Sequence, residues 1–392
     1  MSENDNLYDV IIIGAGSAGL TAAIYAARSK RSTLILDKKR AGGQAATTAS
    51  MENYPGFPGG IGGRELLDLF KKQADEMGAE YLKTEVRSIT KEGSLYLLKC
   101  ANKNIYKART LILAPGCKPR KIGIPGEEEF TGMGVSYCAT CDAELYEGAT
   151  VAVVGSGDTA IEEAGYLSRF ADKVIMIVVH DEGVLGCSKS IAEEAFENEK
   201  LEWKWNSAIQ EIVGDEMVEK VKTKNLKTGN EELIDCDGAF IFVGTTPQTD
   251  FLKDFVELER GFIKTDEKME TNRSLVYAAG DVRVKTLRQV VTAASDGAIA
   301  AFYADRALSE IDGYKKAVSK AGNDYLIYFY LSAIQRSVDL FPEVEKKGQE
   351  YNLPVIKLNS TRYRKIKEKF NIKSIPALVR VSNDEVKENI LI

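Results

Sequence analysis

Two segments of this chain share one pattern: a run of apolar residues, then a glycine-rich turn, then a stretch with helical spacing of apolar residues. In the first, Val10–Ile13 precede Gly-Ala-Gly-Ser-Ala-Gly at residues 14–19; in the second, Val151–Val154 precede Gly-Ser-Gly-Asp-Thr-Ala at residues 155–160. A buried strand, a glycine turn and a helix in this order open a βαβ unit on a parallel sheet. Two such openings predict an α/β fold with two Rossmann-like nucleotide-binding lobes.

The first glycine turn has the spacing of a dinucleotide-binding site. Gly14, Gly16 and Gly19 permit a tight turn and let the backbone approach a pyrophosphate, whose charge lies at the N-terminus of the helix. Asp37 follows the next apolar strand, 21 residues after Gly16, where a carboxylate can bind the hydroxyls of an adenosine ribose. The same carboxylate would repel a 2′-phosphate. We therefore expect FAD or NAD at this turn rather than NADP.

The second glycine turn predicts a nicotinamide nucleotide site. Gly155 and Gly157 keep their places, and an alanine stands where the third glycine would be. The next strand ends in Val-Val-His-Asp-Glu at residues 178–182, which contains no arginine that could bind a 2′-phosphate. Asp181 or Glu182 can bind a ribose diol instead, so NADH is favoured over NADPH. The alternative is that this lobe keeps its fold but binds no nicotinamide cofactor.

Cys138-Ala-Thr-Cys141-Asp142 is the most specific local motif of the chain. In a C-x-x-C turn one thiol can attack a disulfide while the other resolves the mixed disulfide. A zinc site needs two more ligands, but the chain has one histidine and no second C-x-x-C pair, so we expect no metal. Asp142 can carry the proton in a chain so poor in histidine. We expect buried, reduced thiols at the other four cysteines, Cys100, Cys117, Cys187 and Cys236.

Composition excludes several other classes of protein. The sequence has 44% hydrophobic and 28% charged residues, which is ordinary for a globular protein. Because neither a signal peptide nor a run of about 20 apolar residues is present, we expect a cytoplasmic protein that does not enter a membrane. Residues 313–392 carry a net charge of +6 in a chain of net charge −6. This basic tail can attract an acidic partner or the acidic remainder of the chain, and without an arginine-rich stripe it does not predict nucleic-acid binding.

Together these features resemble the low-molecular-weight thioredoxin reductases, a family of FAD-dependent pyridine nucleotide-disulfide oxidoreductases. The resemblance extends over about residues 7–310 and includes Gly42-Gly-Gln44, Glu52–Pro58, Gly280-Asp281 and Arg288–Ala294. It implies that Cys141 faces the flavin, that Cys138 attacks the disulfide of the partner and that Asp142 transfers the proton. It further implies a homodimer, and a second lobe that rotates as a rigid body between two orientations.

The same resemblance implies the cofactor contacts. The pyrophosphate and ribose of FAD are expected at Gly14, Gly16, Ser17, Ala18, Gly19 and Asp37, and the adenine near Val86. The ribityl chain and flavin ring are expected at Gly43, Gln44, Asn53, Gly280, Asp281, Arg288, Gln289 and Val290. A nicotinamide cofactor is expected at Gly155, Gly157, Asp158 and Thr159.

The chain departs from the family pattern at two sites. NADPH-dependent members have His-Arg-Arg where this chain has Val-Val-His at residues 178–180, and a further arginine at the position of Val184. A glycine and two phenylalanines that follow the redox pair in the family, the phenylalanines docking thioredoxin, are replaced by Ala-Glu-Leu at residues 143–145, and Met133 stands where an arginine often holds the partner. We therefore expect NADH as the donor, and a thioredoxin- or glutaredoxin-like partner that need not be a standard thioredoxin.

Domain boundaries follow from the order of these segments. Pro247 lies in a linker, so the chain is predicted to return there to the first lobe. The FAD-binding lobe would then comprise residues 1–117 and 247–312, with residues 118–246 inserted as the second lobe. The returning segment is predicted to contain a helix at Val290–Leu308.

Residues 320–392 resemble a degenerate thioredoxin fold. The sequence predicts strands at 325–330, 354–358 and 377–381 and helices at 338–350 and 364–370, and Ser374-Ile375-Pro376 matches the loop of that fold whose proline is cis. Aligning Pro342 with the proline of the active-site helix puts Ile334 and Ser337 at the two cysteine positions, and no cysteine follows residue 236. The tail therefore cannot carry electrons through a dithiol, and we expect it to support docking or dimerisation.

Four functions remain compatible with the sequence. The leading interpretation is an FAD-dependent disulfide reductase that passes electrons through Cys138 and Cys141 to a small redox protein. A second takes its electrons from reduced ferredoxin, because the arginines are missing and the tail is basic. A third is a dithiol oxidase that passes electrons from small thiols to oxygen. The fourth is a flavin-bearing adaptor without activity, against which the intact redox pair argues.

Overall fold

The computed structural model describes residues 6–48, 51 and 53–392, so Glu52 of the predicted Glu52–Pro58 motif lies outside the described residues. The contacts divide the chain into two units, residues 1–300 and 301–392. None of the helices in the described part of the chain is long and apolar enough to span a membrane.

The first lobe is built on a seven-stranded sheet with a parallel centre. Its elements are β1 (Leu7–Ile13), α1 (Ser17–Arg28), β2 (Thr33–Asp37), α2 (Gly63–Glu76), β3 (Glu80–Lys83), β4 (Val86–Glu92), β5 (Leu95–Cys100) and β6 (Ile105–Leu113), with a 3-10 helix at Gln44–Thr47. The order is β3-β2-β1-β6-β5-β4, antiparallel only among β6, β5 and β4. Val10, Ile11 and Ile12 have no exposed surface, as expected for a central strand buried on both faces.

The second lobe contains the other parallel sheet. The chain leaves the first lobe through β7 (Cys117–Pro119) and forms β8 (Val135–Ser136), α3 (Ala139–Asp142), a 3-10 helix (Ala143–Tyr146), β9 (Thr150–Val154), α4 (Asp158–Leu167), β10 (Lys173–Ile177), α5 (Lys189–Phe196), β11 (Leu201–Lys204), β12 (Ser207–Gly214), β13 (Val218–Asn225), β14 (Glu231–Asp235) and β15 (Gly238–Ile241). The parallel sheet has the order β11-β10-β9-β15-β8, and β12, β13 and β14 form an antiparallel sheet. Each lobe thus has the predicted strand, glycine turn and helix.

Two connecting segments join the lobes and pair with each other. Thr245–Pro247 forms β16, which runs antiparallel to β7 with Pro247 opposite Cys117. The predicted boundaries at residues 117/118 and 246/247 both lie in this two-stranded ribbon. The chain then forms a 3-10 helix (Asp250–Leu252), β17 (Leu258–Glu259), β18 (Phe262–Ile263) and β19 (Val276–Ala278). Strand β19 joins the first sheet beside β6, so this sheet contains strands from both sides of the second lobe in sequence.

Helix α6 (Val290–Ala321) continues past Leu308, where the predicted helix ended. Residues 290–300 of α6 belong to the first unit and residues 301–321 to the second, so the predicted boundary between residues 312 and 320 lies within one helix. A Cβ at Gly313 would lie 3.1 Å from the Tyr363 hydroxyl, and Tyr314 is buried. Tertiary packing therefore extends the helix beyond its local sequence signal.

The tail forms a four-stranded mixed sheet with helices. Its elements are β20 (Asp324–Tyr330), α7 (Gln335–Asp339), α8 (Phe341–Tyr351), β21 (Val355–Asn359), α9 (Arg364–Lys369), β22 (Ala377–Ser382) and β23 (Glu385–Ile390). The order is β21-β20-β22-β23, with β20 parallel to β21, and β22 antiparallel to both β20 and β23. The Ile375–Pro376 peptide bond is cis.

Two tail elements differ from the prediction. The single helix predicted at 338–350 is divided into α7 and α8, because Pro342 lacks an N–H and fits only in the first turn of a helix. Strand β23 is not predicted, because the charged residues Glu385, Lys387 and Glu388 interrupt the alternation of apolar and polar residues that marks a strand. At the edge of a sheet, charged side chains can face solvent without breaking the strand pairing.

Candidate active site

The two predicted redox cysteines form a disulfide at the start of a short helix. Cys138 is the N-cap residue of α3 and Cys141 lies within it; their sulfurs are bonded, and their Cα atoms are 5.3 Å apart. The Cys138 N–H donates to Ser136 Oγ over 3.1 Å, so the end of β8 fixes the entry to the turn. The pair lies just beyond the carboxyl end of a parallel strand, where α/β folds commonly place ligands.

Asp142 is held by the same segment. Its Oδ2 accepts a hydrogen bond from Ser136 Oγ over 2.6 Å. Burial raises the pKa of the Asp142 carboxyl, and the Ser136 hydrogen bond opposes the rise. A carboxyl with a raised pKa keeps its proton closer to neutral pH, which suits the predicted proton transfer.

Glu163 of α4 also contacts the redox turn and is absent from the sequence-based predictions. Its Oε2 accepts hydrogen bonds from the backbone N–H groups of Ala139, over 2.9 Å, and Thr140, over 3.3 Å. Burial raises the pKa of the Glu163 carboxyl, and these two hydrogen bonds oppose the rise. No local motif marks this residue, because only the packing of α3 against α4 brings it to the cysteines.

Two predicted flavin-site residues of the first lobe reach the same turn. The side-chain amide of Gln289 donates to Thr140 Oγ1 over 2.7 Å, and that of Asn53 donates to the Thr140 carbonyl over 3.2 Å. Asn53 also donates to Gln289 Oε1 over 3.3 Å, and Gln289 Nε2 lies 4.0 Å from Cys138 Sγ. The structure therefore brings the disulfide of the second lobe against the predicted flavin side of the first.

The first glycine turn lies at the carboxyl end of β1. Gly14 has φ of +107°, and a Cβ there would lie 2.1 Å from a backbone carbonyl oxygen, so only glycine fits. Gly43 faces Gly16, and a Cβ on Gly43 would lie 2.9 Å from the Gly16 Cα. The Asp37 carboxylate accepts the Ala15 N–H over 2.7 Å. The surface of the turn therefore consists of backbone atoms and the Asp37 carboxylate, and it lies in front of the N-terminus of α1.

Most of the remaining predicted FAD residues lie at the first residues of helices and strands of the first lobe. The buried first turn of α1 contains Ser17, Ala18 and Gly19. A 3-10 helix begins at Gln44, β4 begins at Val86, and α6 begins at Val290. The guanidinium of Arg288 lies over the Phe262 ring, 4.4 Å from its centroid.

Gly280 and Asp281 follow β19 and are fixed by a buried ion network. The Gly280 N–H donates to Asp296 over 3.0 Å, and the Asp296 carboxylate pairs with Arg283 and Lys285, each at 2.9 Å. The side chains of these three charged residues are only 10–11% exposed. Sequence reasoning missed all three; the available signal was the acidic residue Asp296 within the otherwise uncharged residues 290–304 of α6.

Asp281 tests whether the first lobe fits the predicted cofactor. Its Oδ1 is buried and has no hydrogen-bond partner among the residues that the structure describes. Burial raises the pKa of Asp281, and Lys285 and Arg288 oppose the rise. A buried acceptor is costly unless a donor reaches it, and a ligand hydroxyl would be such a donor. The Asp281 acceptor, the glycine turn and the Asp37 carboxylate together fit a dinucleotide with free hydroxyl groups, as FAD is.

The second glycine turn lies between β9 and α4. Gly155 has φ of +141°, and a Cβ there would lie 2.5 Å from a backbone carbonyl oxygen. Gly157 is the N-cap of α4, which begins with Asp158 and Thr159. The Ser188 N–H donates to Asp158 Oδ1 over 2.8 Å, so the segment after β10 lies beside this turn. The geometry of a nucleotide-binding turn is therefore kept.

The segment after β10 exposes apolar side chains where a 2′-phosphate would need cations. Val179 and Val184 are 50% and 51% exposed, whereas Val178 is fully buried. Asp181 forms an ion pair with Lys227 of the β13–β14 turn. Residues 178–184 contain no lysine or arginine, so the segment itself supplies no side chain for a bidentate phosphate contact.

The remaining four cysteines are reduced, and two of them are less buried than predicted. Cys100 and Cys236 are buried, as expected, but Cys117 and Cys187 are only half-buried. Burial raises the pKa of Cys100 to about 11 and that of Cys236 to about 12. For Cys117, burial and the nearby Asp281 raise the pKa to about 11. These groups are thiols at neutral pH and poor nucleophiles.

The chain is similar to known proteins over its first three quarters. Residues 8–297 match the profile of the family described as pyridine nucleotide-disulphide oxidoreductase. The chain is 48% identical over 310 residues to a thioredoxin reductase of Peptoclostridium acidaminophilum, covering 77% of this chain and 97% of that protein. It is 44% identical over 306 residues to a thioredoxin reductase of Bacillus subtilis, covering 77% and 94%. A solved thioredoxin reductase from Streptococcus pyogenes matches with a TM-score of 0.73 and 38% identity, covering 80% of this chain and all of that one.

These similarities confirm the predicted enzyme class and two-lobe fold. The Rossmann-type lobes correspond to those of the solved thioredoxin reductase, and the protein is an FAD-dependent oxidoreductase. The family profile ends at residue 297, so it does not extend into the tail. The chain belongs to the pyridine nucleotide-disulphide oxidoreductase family, and it resembles the low-molecular-weight thioredoxin reductases of that family in both sequence and fold.

Proposed function

We propose that the protein is a thioredoxin-disulfide reductase, which passes electrons through FAD and the Cys138–Cys141 pair to a disulfide of a thioredoxin-like partner. The observation that carries this proposal is the contact of the redox turn with the predicted flavin site, through Thr140 to Asn53 and Gln289. The relatives that bear the name thioredoxin reductase support the class of partner. A glutaredoxin-like protein has the same chemistry and is the neighbouring possibility.

FAD would be held by the first lobe. Gly14, Gly16 and the N-terminus of α1 would bind its pyrophosphate, Asp37 would bind its ribose, and Asp281 would accept a hydrogen bond from one of its hydroxyls. When bound, FAD supplies a two-electron carrier that can exchange electrons with both nicotinamides and disulfides. The proposed site is completed by Ser17, Ala18, Gly19, Gly43, Gln44, Val86, Gly280, Arg288 and Val290.

The redox turn would act in two half-reactions. Two electrons and two protons convert the disulfide into two thiols, and the Asp142 carboxyl would supply one of these protons to a departing thiolate. Cys138 Sγ, as the thiolate, would then attack one sulfur of the partner's disulfide, whose other sulfur leaves. Cys141 Sγ would attack Cys138 Sγ, which releases the partner as a dithiol and restores the disulfide.

The second half-reaction requires a movement of the second lobe. In this structure the cysteine pair faces Asn53 and Gln289 of the first lobe. The disulfide of a partner protein must reach the same pair to be reduced. A rotation at the β7–β16 ribbon would break the contacts of Thr140 and expose Cys138. The pairing of the two connectors in one ribbon supports a hinge at this place.

NADH is the proposed electron donor. The nucleotide would bind at Gly155, Gly157, Asp158 and Thr159. Val179 and Val184 offer nothing to a 2′-phosphate, whereas the exposed carboxylates Asp181 and Glu182 can accept hydrogen bonds from ribose hydroxyls. Reduced ferredoxin is a second candidate, favoured by the same exposed valines together with the basic tail.

The partner would dock on apolar surface near the redox turn. Leu145 is 68% exposed and Met133 is 45% exposed. Ala143, which lies between them in the sequence, is buried. Two exposed apolar side chains in place of aromatic and basic ones favour a small, apolar contact patch on the partner.

The domain assignment and assembly are part of the same proposal. Residues 1–117 and 247–312 form the FAD-binding domain, residues 118–246 the nicotinamide-type domain, and residues 320–392 a degenerate thioredoxin-like domain, supported by the parallel β20–β21 pair and the antiparallel β22 and β23. A cytoplasmic homodimer is proposed through α1, α2 and the start of α6, where Tyr25, Leu69 and Val291 are 40–47% exposed.

Rapid-mixing spectroscopy of the purified holoenzyme tests these proposals. We expect NADH to bleach the flavin absorbance faster than NADPH does, and thioredoxin disulfide to restore it. If reduced ferredoxin bleaches the flavin absorbance and millimolar NADH and NADPH do not, ferredoxin replaces NADH as the assigned electron donor. Thiol-dependent peroxide production without a protein partner would instead establish the oxidase. A Cys138→Ser variant with undiminished disulfide reduction would contradict the proposed route.

A further inference from the structure

We propose that Glu163 is a positioning residue that restrains the reactivity of Cys138, because its carboxylate occupies the backbone N–H groups that would otherwise stabilise the Cys138 thiolate. The inference rests on the proposed dithiol exchange at Cys138. It concerns a residue that touches no reacting atom and acts through the backbone of α3.

The geometry places Glu163 at the start of the redox helix. The first N–H groups of a helix have no partner within the helix and carry its positive end. In α3 the N–H groups of Ala139 and Thr140 both donate to Glu163 Oε2, over 2.9 and 3.3 Å, and the Cys141 N–H donates to the Cys138 carbonyl over 3.3 Å. These N–H groups are therefore already used when the Cys138 sulfur becomes free.

A thiolate at the N-cap of a helix is ordinarily stabilised, and its thiol is correspondingly acidic. Here the Glu163 carboxylate already accepts the N–H groups of the two residues that follow Cys138, and its negative charge lies against this part of the turn. Asp142 on α3 and Glu162, next to Glu163 on α4, are further carboxyl groups on the two elements that form this turn. From the first lobe, the neutral amide of Gln289 faces Cys138 at 4.0 Å, which is a weak contact.

This arrangement has a consequence for the order of events in catalysis. The attacking species is the thiolate, whose sulfur bonds to one partner sulfur while the partner's S–S bond breaks. With Glu163 in place, the reduced pair stays largely protonated until the partner or a lobe movement changes its surroundings. Glu163 would thus protect the reduced enzyme from reacting with other disulfides.

The test measures the alkylation of Cys138 by iodoacetamide as a function of pH. The full-length holoenzyme carries Cys141→Ser, so that Cys138 cannot form its disulfide, and peptide mass spectrometry separates Cys138 from the four other thiols. Removing a like charge from the vicinity of a thiol lowers its pKa by about 1 unit. We therefore expect Glu163→Gln to lower the midpoint by about 1 pH unit. At pH 7 alkylation should be about threefold faster, since the tenfold gain in thiolate is offset by its lower nucleophilicity.

Glu147→Gln is the matched control, because Glu147 is an exposed carboxylate just beyond the same segment and should leave the profile unchanged. Glu163→Asp, which keeps the charge but shortens the side chain, gives an intermediate midpoint and serves if the glutamine variant folds poorly. Midpoints that agree within about 0.3 unit among the parent, Glu163→Gln and Glu163→Asp would overturn the inference. Failure of the proposed function is read separately, from the turnover of Cys138→Ser in an otherwise unchanged enzyme.

Discussion

Replacing Asp296 tests whether the Gly280–Asp281 turn depends on buried charge. Asp296→Ala removes the acceptor of the Gly280 N–H and the partner of both Arg283 and Lys285, whose side chains are 11% exposed. Removing one partner from a buried ion pair typically lowers stability by 3–5 kcal/mol, because the other charge stays buried without compensation. Here two cations lose their partner, so we expect a loss of about 4 kcal/mol in the free energy of unfolding of the first lobe.

Urea titration of the holoenzyme measures this loss, with flavin release and far-ultraviolet circular dichroism as the two probes. Flavin release should move to lower urea in Asp296→Ala. Glu257→Gln is the control, because Glu257 pairs with Lys264 at a half-exposed site, and exposed pairs contribute at most about 1 kcal/mol. The reasoning is refuted if Asp296→Ala costs less than about 1 kcal/mol, or if Glu257→Gln destabilises the lobe as much.

Further predictions concern the donor and the tail. Val184→Arg should raise the ratio of kcat/KM for NADPH to kcat/KM for NADH by about tenfold, since one charge-assisted phosphate contact contributes about 1.5 kcal/mol. The control Val284→Arg, at an exposed valine of the other lobe, should leave this ratio unchanged. An unaltered ratio in Val184→Arg would mean that the nucleotide binds elsewhere. Glu310→Ala should destabilise the tail by about 1–3 kcal/mol, because buried Glu310 accepts the Ile366 N–H over 2.7 Å and the substitution leaves that buried donor without its partner. Hydrogen exchange of residues 364–369 measures this loss, and exchange as slow as in the exposed-site control Glu343→Ala would contradict it.

Local patterns were sufficient to predict the two lobes. Each glycine turn follows an apolar strand, and the steric need for glycine at Gly14 and Gly155 is visible in the spacing alone. The Cys138–Cys141 pair is equally local, since the turn that joins the cysteines also sets their separation.

Contacts between distant segments could not be predicted in this way. Glu163 reaches the redox turn only because α4 packs beside α3, and nothing in its own neighbourhood distinguishes it from Glu162. Helix α6 continues through Gly313 because Tyr363, fifty residues later, packs against that glycine. In both cases the determining interaction belongs to the tertiary structure, which local propensity does not contain.

The central claim is that bound FAD and the Cys138–Cys141 disulfide form one electron-transfer unit. Anaerobic titration with dithionite measures the electrons that this unit accepts. The account predicts about two equivalents of dithionite per FAD in the parent enzyme, one for the flavin and one for the disulfide, and about one in Cys138→Ser. Equal uptake of about one equivalent by both proteins would mean that the disulfide does not exchange electrons with the flavin, and would contradict the account.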